Sequence, residues 1–103
     1  MSQRFLSRPI ATVVVAGNSM SPTYAAGDWL VVTRKGRIAP GQVVVIERSA
    51  QPGFLLIKRV VRAQGQSWWV EGDNETASDD SRSFGPIDPK EIIGRVRFRY
   101  RRA

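Results

Sequence analysis

The chain has 103 residues, 42% of them hydrophobic and 24% charged, which suits one domain with a modest core and is too short for two. It contains no cysteine and no histidine, so disulfides, thiol nucleophiles, imidazole metal sites and histidine bases are excluded, and a hydrolytic base would have to be Lys, Asp, Glu or Tyr. Sixteen Lys and Arg against nine Asp and Glu give a net charge of +7, which favours acidic partner surfaces.

The first apolar run, residues 10–16, is far shorter than the roughly 20 residues that span a bilayer. Arg4 and Arg8 ahead of it imitate a secretory leader, but Pro9 and the triplet Val13-Val14-Val15 predict a strand over residues 11–16. No integral membrane segment is expected, and any membrane contact would be weak and peripheral. Gly17-Asn18-Ser19-Met20-Ser21-Pro22-Thr23 follows directly and reads as a sharp turn that exposes the Ser19 hydroxyl and leaves its backbone N–H available. A serine hydroxyl needs a neighbouring base to become a nucleophile, and in this composition a lysine could serve. On its own the segment favours an ordinary Ser/Thr turn or cap before Pro22.

Strands are predicted next over residues 29–33, 42–47 and 54–62. In the third of these, alternation places Lys58 on one face with Leu56 and Val60, and Arg59 on the other with Ile57 and Val61. An ammonium held among apolar neighbours loses hydration, and bringing its pKa from ~10.4 to neutrality costs roughly 4 to 5 kcal/mol. The strand alone favours a lysine that reaches from a sheet edge into water. Residues 67–71 read as a fifth strand, and residues 73–86, without an apolar pattern, as a long irregular loop of the kind that carries function. Asp88-Pro89-Lys90-Glu91 has the cap, the proline and the glutamate of a one-turn helix. A last strand over residues 94–101 would place Arg95, Arg97, Arg99 and Arg101 on one face, opposite Val96, Phe98 and Tyr100. Six strands with tight connections predict a single all-β domain over residues 1–103, a barrel or folded sheet.

Taken in order, Gly17 to Thr23, Ala26-Gly27-Asp28, Gly41-Gln42-Val43-Val44-Val45, Ile57-Lys58-Arg59-Val60-Val61, and Gly72-Asp73-Asn74 with Ser78, Asp80-Ser81-Arg82 and Gly85 resemble the type I signal peptidase family of serine/lysine proteases. The resemblance implies the pleated, mainly antiparallel β architecture shared by signal peptidases and self-cleaving repressors. It also implies roles: Ser19 the nucleophile, Lys58 the general base, and Ser78 the hydroxyl that orients the lysine nitrogen. Gly17, Asn18 and Met20 would surround the oxyanion, with Val13, Val15 and Leu56 contacting a precursor polypeptide bound as an extended strand. Gly72, Asp73 and Asn74 would support the catalytic loop, and Asp80 and Arg82 would be a charged pair within it. No cofactor or metal is implied.

Some departures stand out. Gly17 occupies a position where some relatives carry a hydroxyl, Gln42 one where Asp is frequent, and Arg62-Ala63-Gln64-Gly65-Gln66 replaces the usual Gly-Leu-Pro-Gly-Asp. Trp68-Trp69-Val70, Ala77-Ser78, Phe84-Gly85-Pro86, Gly94-Arg95-Val96 and Arg99-Tyr100 are most similar to the branch that matures nickel-type superoxide dismutase. That branch implies removal of an N-terminal extension from a cytoplasmic precursor by a soluble, minimal family member. Three other readings stay open. One is a general signal peptidase cleaving secretory leaders. Another is a repressor fragment, though it would need a cleavable loop and a DNA-binding domain ahead of Ser19. The third is a small basic nucleic-acid-binding barrel using the arginines of the last strand; no nucleic acid is expected on the protease reading.

Overall fold

The strands of the computed structural model, which describes residues 9–77 and 79–103, are β1 Ile10–Val14, β2 Trp29–Thr33, β3 Val43–Glu47, β4 Leu55–Gln64, β5 Ser67–Glu71 and β6 Ile92–Arg101. They form one sheet in the order β1-β2-β6-β3-β4-β5 with every neighbouring pair antiparallel. The predicted strands are all present. β4 runs on to Gln64 because its hairpin with β5 closes tightly at Gly65, whose φ of +62° suits glycine. β6 starts at Ile92, two residues before the predicted Gly94, because Ile92 pairs with Ile46 and is buried.

Residues 73–86 are not wholly irregular as predicted. They hold a 3₁₀ turn, Glu75–Ala77, and a four-residue helix α1, Ser81–Phe84, capped by the Asp80 side chain. The predicted turn at Asp88 forms as a 3₁₀ turn, Pro89–Glu91, with both hydrogen bonds of a capping box. The readings placed on Arg4 and Arg8 fall outside the described residues. Among those described, no helix is long and apolar enough to cross a membrane.

β3 is apolar without alternation because both of its faces are covered. Val43 and Val45 enter a cluster with Met20, Leu30, Val32 and Val96, whereas Val44 and Ile46 enter a second with Val60, Val70, Ile87 and Ile92. Each fully buried Val or Ile side chain contributes about 1.5–3 kcal/mol, so the register of β3 is fixed from both sides.

The predicted alternation of arginines along β6 is broken. Two register shifts against β2 re-aim the side chains, leaving Phe98 and Tyr100 55% and 49% exposed. Arg99 instead turns inward to the buried Asp28, with Nη1 3.2 Å from Oδ2, and donates to the Thr23 carbonyl. The four arginines therefore do not share a solvated face.

Candidate active site

Ser19 is carried on a turn anchored at both ends. Beyond β1, the Val15 N–H donates to the Asp28 carbonyl and the Gly27 N–H donates to that of Val15, so the β1/β2 ladder continues to the brink of the turn. Gly17 then reverses the chain at φ +72°. The Ser21 N–H donates to the Asn18 carbonyl (3.1 Å) and that of Tyr24 to the Met20 carbonyl (2.9 Å), coiling the backbone around Ser19. Met20, 1% exposed, pins the turn into the first core cluster, and Ser19 itself is half-buried. A Cβ added at Gly17 meets nothing within 4 Å. A hydroxyl would fit there, and the obstacle is the backbone: Gly17→Ser is expected to cost about 1 kcal/mol in thermal melts.

Lys58 does not reach into water. It is 1% exposed, pairs with Val44 of β3, and shares its face with Leu56 and Val60. The edge-strand reading of the lysine is thereby overturned: β3 covers one side of β4, and β5 with the loop after it lies on the other. Burial pushes the Lys58 ammonium below its usual range, the carboxylates of Asp80 and Asp79 oppose that shift, and Arg82 assists it.

The loop after β5 ties the Ser19 turn and the Lys58 strand to one frame. Asp80, fully buried, accepts from the Gly72 N–H (2.8 Å) and from Arg82 Nη2 (2.6 Å) at Oδ2, and from Arg82 N (3.1 Å) and Nε (3.0 Å) at Oδ1. The Ser81 hydroxyl, also buried, accepts from the Val70 N–H, and Trp68 and Ile87 exchange backbone hydrogen bonds, so α1 and its flanks cover the outer edge of β5. From the same loop, the Asn74 N–H donates to the Ser19 carbonyl (2.9 Å) and its amide Nδ2 donates to that of Asn18 (3.1 Å). Gly72, Asp73, Asn74, Asp80 and Arg82 are therefore brought together with the Ser19 turn and the Lys58 strand. Ser78 lies outside the described residues.

Arg59 and Thr23 extend this frame on the opposite face of β4. Arg59 Nε and Nη2 grip Asp73 Oδ1 and Oδ2, each at 2.8 Å, and the Thr23 hydroxyl donates to Asp73 Oδ2 at 2.6 Å. The neighbours Lys58 and Arg59 thus point apart, one into the core beside the loop and the other into a clamp on the turn that bears Ser19. Hydrogen bonds from Arg59 and then Thr23 hold the Asp73 carboxyl below its usual range. A depressed carboxylate pKa stabilises the fold above the unfolded value of ~3.9 and loses that contribution as pH falls through the folded value. Asp73→Asn is expected to cost about 1–2 kcal/mol at neutral pH, allowing for Arg59 being one-third exposed, and progressively less as pH falls through the lowered folded value of Asp73; urea titrations over a series of acidic pH values measure it.

A cleft of about 220 Å³ opens beside Ser19, with Val13, Val14, Val15 and Ala16 on one wall and Phe54, Leu55, Leu56 and Ile57 on the other. Met20 and Val45 also line it. Among the described residues, β1 pairs only with β2, and β4 meets β5 only from Arg59 onward, so β1 and the segment Leu55 to Ile57 each carry a strand ladder on one side alone. Val13, Val15 and Leu56 line the cleft, while Gly17 and Asn18 shape the turn at its end. Reading the sequence missed Arg59, Thr23 and Ser81, whose partners are up to 50 residues away; the one local hint was an arginine on a strand face otherwise formed by Ile57 and Val61.

The family model described as Peptidase S24-like matches residues 2–97. Among curated proteins, mitochondrial inner membrane protease subunit 1 of Xenopus tropicalis is 30% identical over 82% of this chain and 65% of its own length. The mitochondrial ATP-independent inner membrane protease subunit 1a of Arabidopsis thaliana is also 30% identical, over 87% of this chain and 70% of its own length. The human subunit 1 is 29% identical over 84% and 67%. The chain spans about two thirds of the length of these relatives.

Proposed function

We propose that this chain, which belongs to the Peptidase S24-like family, is a serine endopeptidase in which Ser19 attacks and Lys58 acts as general base to remove an N-terminal extension from a precursor protein. The observation that carries the reading is the burial of Lys58 at 1% exposure in the strand that walls the Ser19 cleft. Burial lowers the pKa of such a lysine, so it reaches the neutral amine form at lower pH than an exposed one does.

In this mechanism the substrate lies extended between the edges of β1 and β4, pairing through its backbone, while small or apolar side chains enter the Val13, Val15 and Leu56 walls. The neutral Lys58 amine takes the Ser19 proton as Oγ bonds to the scissile carbonyl carbon. The Ser19 N–H donates to the resulting oxyanion. Collapse breaks the C–N bond, with Lys58 returning the proton to the leaving amine, and leaves an ester on Ser19. Lys58 then draws a proton from water, the hydroxide cleaves the ester, and Ser19 recovers its hydrogen. Ser78 is assigned the role of orienting the lysine nitrogen; Ser78→Ala should lower kcat with little change in melting temperature.

For the substrate, the segments similar to the superoxide dismutase branch support maturation of a nickel-type dismutase precursor in the cytoplasm. With neither His nor Cys in the protease, the nickel is the substrate's cargo. The relatives named as inner membrane protease subunits support a second reading, removal of leaders at a membrane. Purified protein mixed separately with precursor dismutase and with an Ala-X-Ala secretory precursor in detergent separates the two. Cleavage of the dismutase precursor is expected, and efficient cleavage of only the secretory precursor overturns the dismutase assignment.

A further inference from the structure

Asp80 is a carboxylate placed where a base lysine should not tolerate one. It is fully buried, on the loop beside a lysine that is itself only 1% exposed, and an uncompensated anion there would draw a proton onto the Lys58 amine. The surroundings prevent this. Both Asp80 oxygens are occupied, each by one bond from the Arg82 side chain and one from a backbone N–H, that of Gly72 or of Arg82. The guanidinium is one-third exposed, so its outer edge stays hydrated while its inner edge serves the buried carboxylate.

We propose that Arg82 is a positioning residue for the base: by neutralising Asp80 at the back of the site, it keeps Lys58 in the amine form that accepts the Ser19 proton. The inference rests on the Ser19/Lys58 reading for its catalytic meaning, and its geometry stands without it. Among the described residues, charges that act on Lys58 gather in one segment: Asp79 and Asp80 ahead of α1, and Arg82 within it. β3 opposite contributes the apolar Val44, and Arg59, the other charge in that part of β4, is engaged with Asp73 on the far face. Glu71 and Glu75, 3.9 and 3.4 Å from Arg82 Nη1, hold the guanidinium from its outer side.

The chain has three lysines, Lys35, Lys58 and Lys90, so the Lys58 ¹³Cε resonance can be titrated directly in Ser19→Ala protein without any substrate. Replacing Arg82 by Gln should raise the Lys58 midpoint by about one pH unit or more, a tenfold change in its protonation equilibrium. Arg82→Lys, which keeps the charge, should titrate close to the parent protein. Asp80→Asn alone should move the midpoint downward, and Asp80→Asn combined with Arg82→Gln should reverse the rise. In the Ser19 enzyme, the pH at which Arg82→Gln gains activity should shift alkaline by the same amount. A midpoint unmoved in Arg82→Gln or raised in Asp80→Asn would overturn the inference, as would a uniform loss of rate at every pH. If Arg82→Gln does not fold, the direction of the Asp80→Asn shift decides. A protein with no peptidase activity but with these shifts would sink the dyad and leave the charge compensation standing.

Discussion

Ser19→Ala, Lys58→Ala and Lys58→Arg are each expected to lower cleavage by about 10⁴-fold or more, because a nucleophile and its base act as one unit and removing either removes both. Lys58→Arg is the most demanding of the three. Guanidinium stays protonated in proteins and cannot take the serine proton, so a tenth of the native activity in that variant would refute the dyad. The site that must hold it is 1% exposed and bordered by Val44 and Val60, so the larger, permanently charged side chain should also destabilise the fold. Lys58→Met avoids that complication. It fills a similar volume without charge, and should be inactive yet melt at or above the native temperature.

The second large effect is on pH. Because burial lowers the Lys58 pKa, and the proposed mechanism uses the neutral amine, activity should rise about tenfold per pH unit below the folded pKa and level off above it. No histidine limb can appear, since the chain has none. The linkage has the same sign. Between the folded pKa and the unfolded value of ~10.4, the unfolded chain binds more protons than the native state, so this residue's contribution to stability also grows as pH rises through that window. A lysine held in a salt bridge would do the reverse. A rate falling steadily from neutrality into mild alkali, in protein that remains folded, would exclude a lysine base.

The strands were legible because each is a β-branched or aromatic run closed by Gly, Pro, Asn or Asp, and β2 and β5 begin and end where predicted. Their ends drifted where pairing, which no local pattern encodes, extended them, as at Ile92 and Gln64. The β6 arginines were misread for a related reason: alternation assumes an unbroken ladder, and two shifts against β2 redirect Phe98, Arg99 and Tyr100. At the site, Ser19 and Lys58 stood out only through their order among neighbouring motifs; the Lys58 strand by itself suggested an exposed side chain. What escaped was the long-range scaffolding. The Arg59–Asp73–Thr23 clamp and the Ser81 bond to Val70 join segments through a tertiary arrangement that had to be seen to be known.

Mass-spectrometric identification of the new N-terminus on a precursor incubated with native, Ser19→Ala and Lys58→Met protein decides whether Ser19 and Lys58 carry out the cleavage. A single new N-terminus generated by native protein alone is expected, with the precursor intact in both variants. The same N-terminus appearing at comparable rate with Ser19→Ala or Lys58→Met would contradict it.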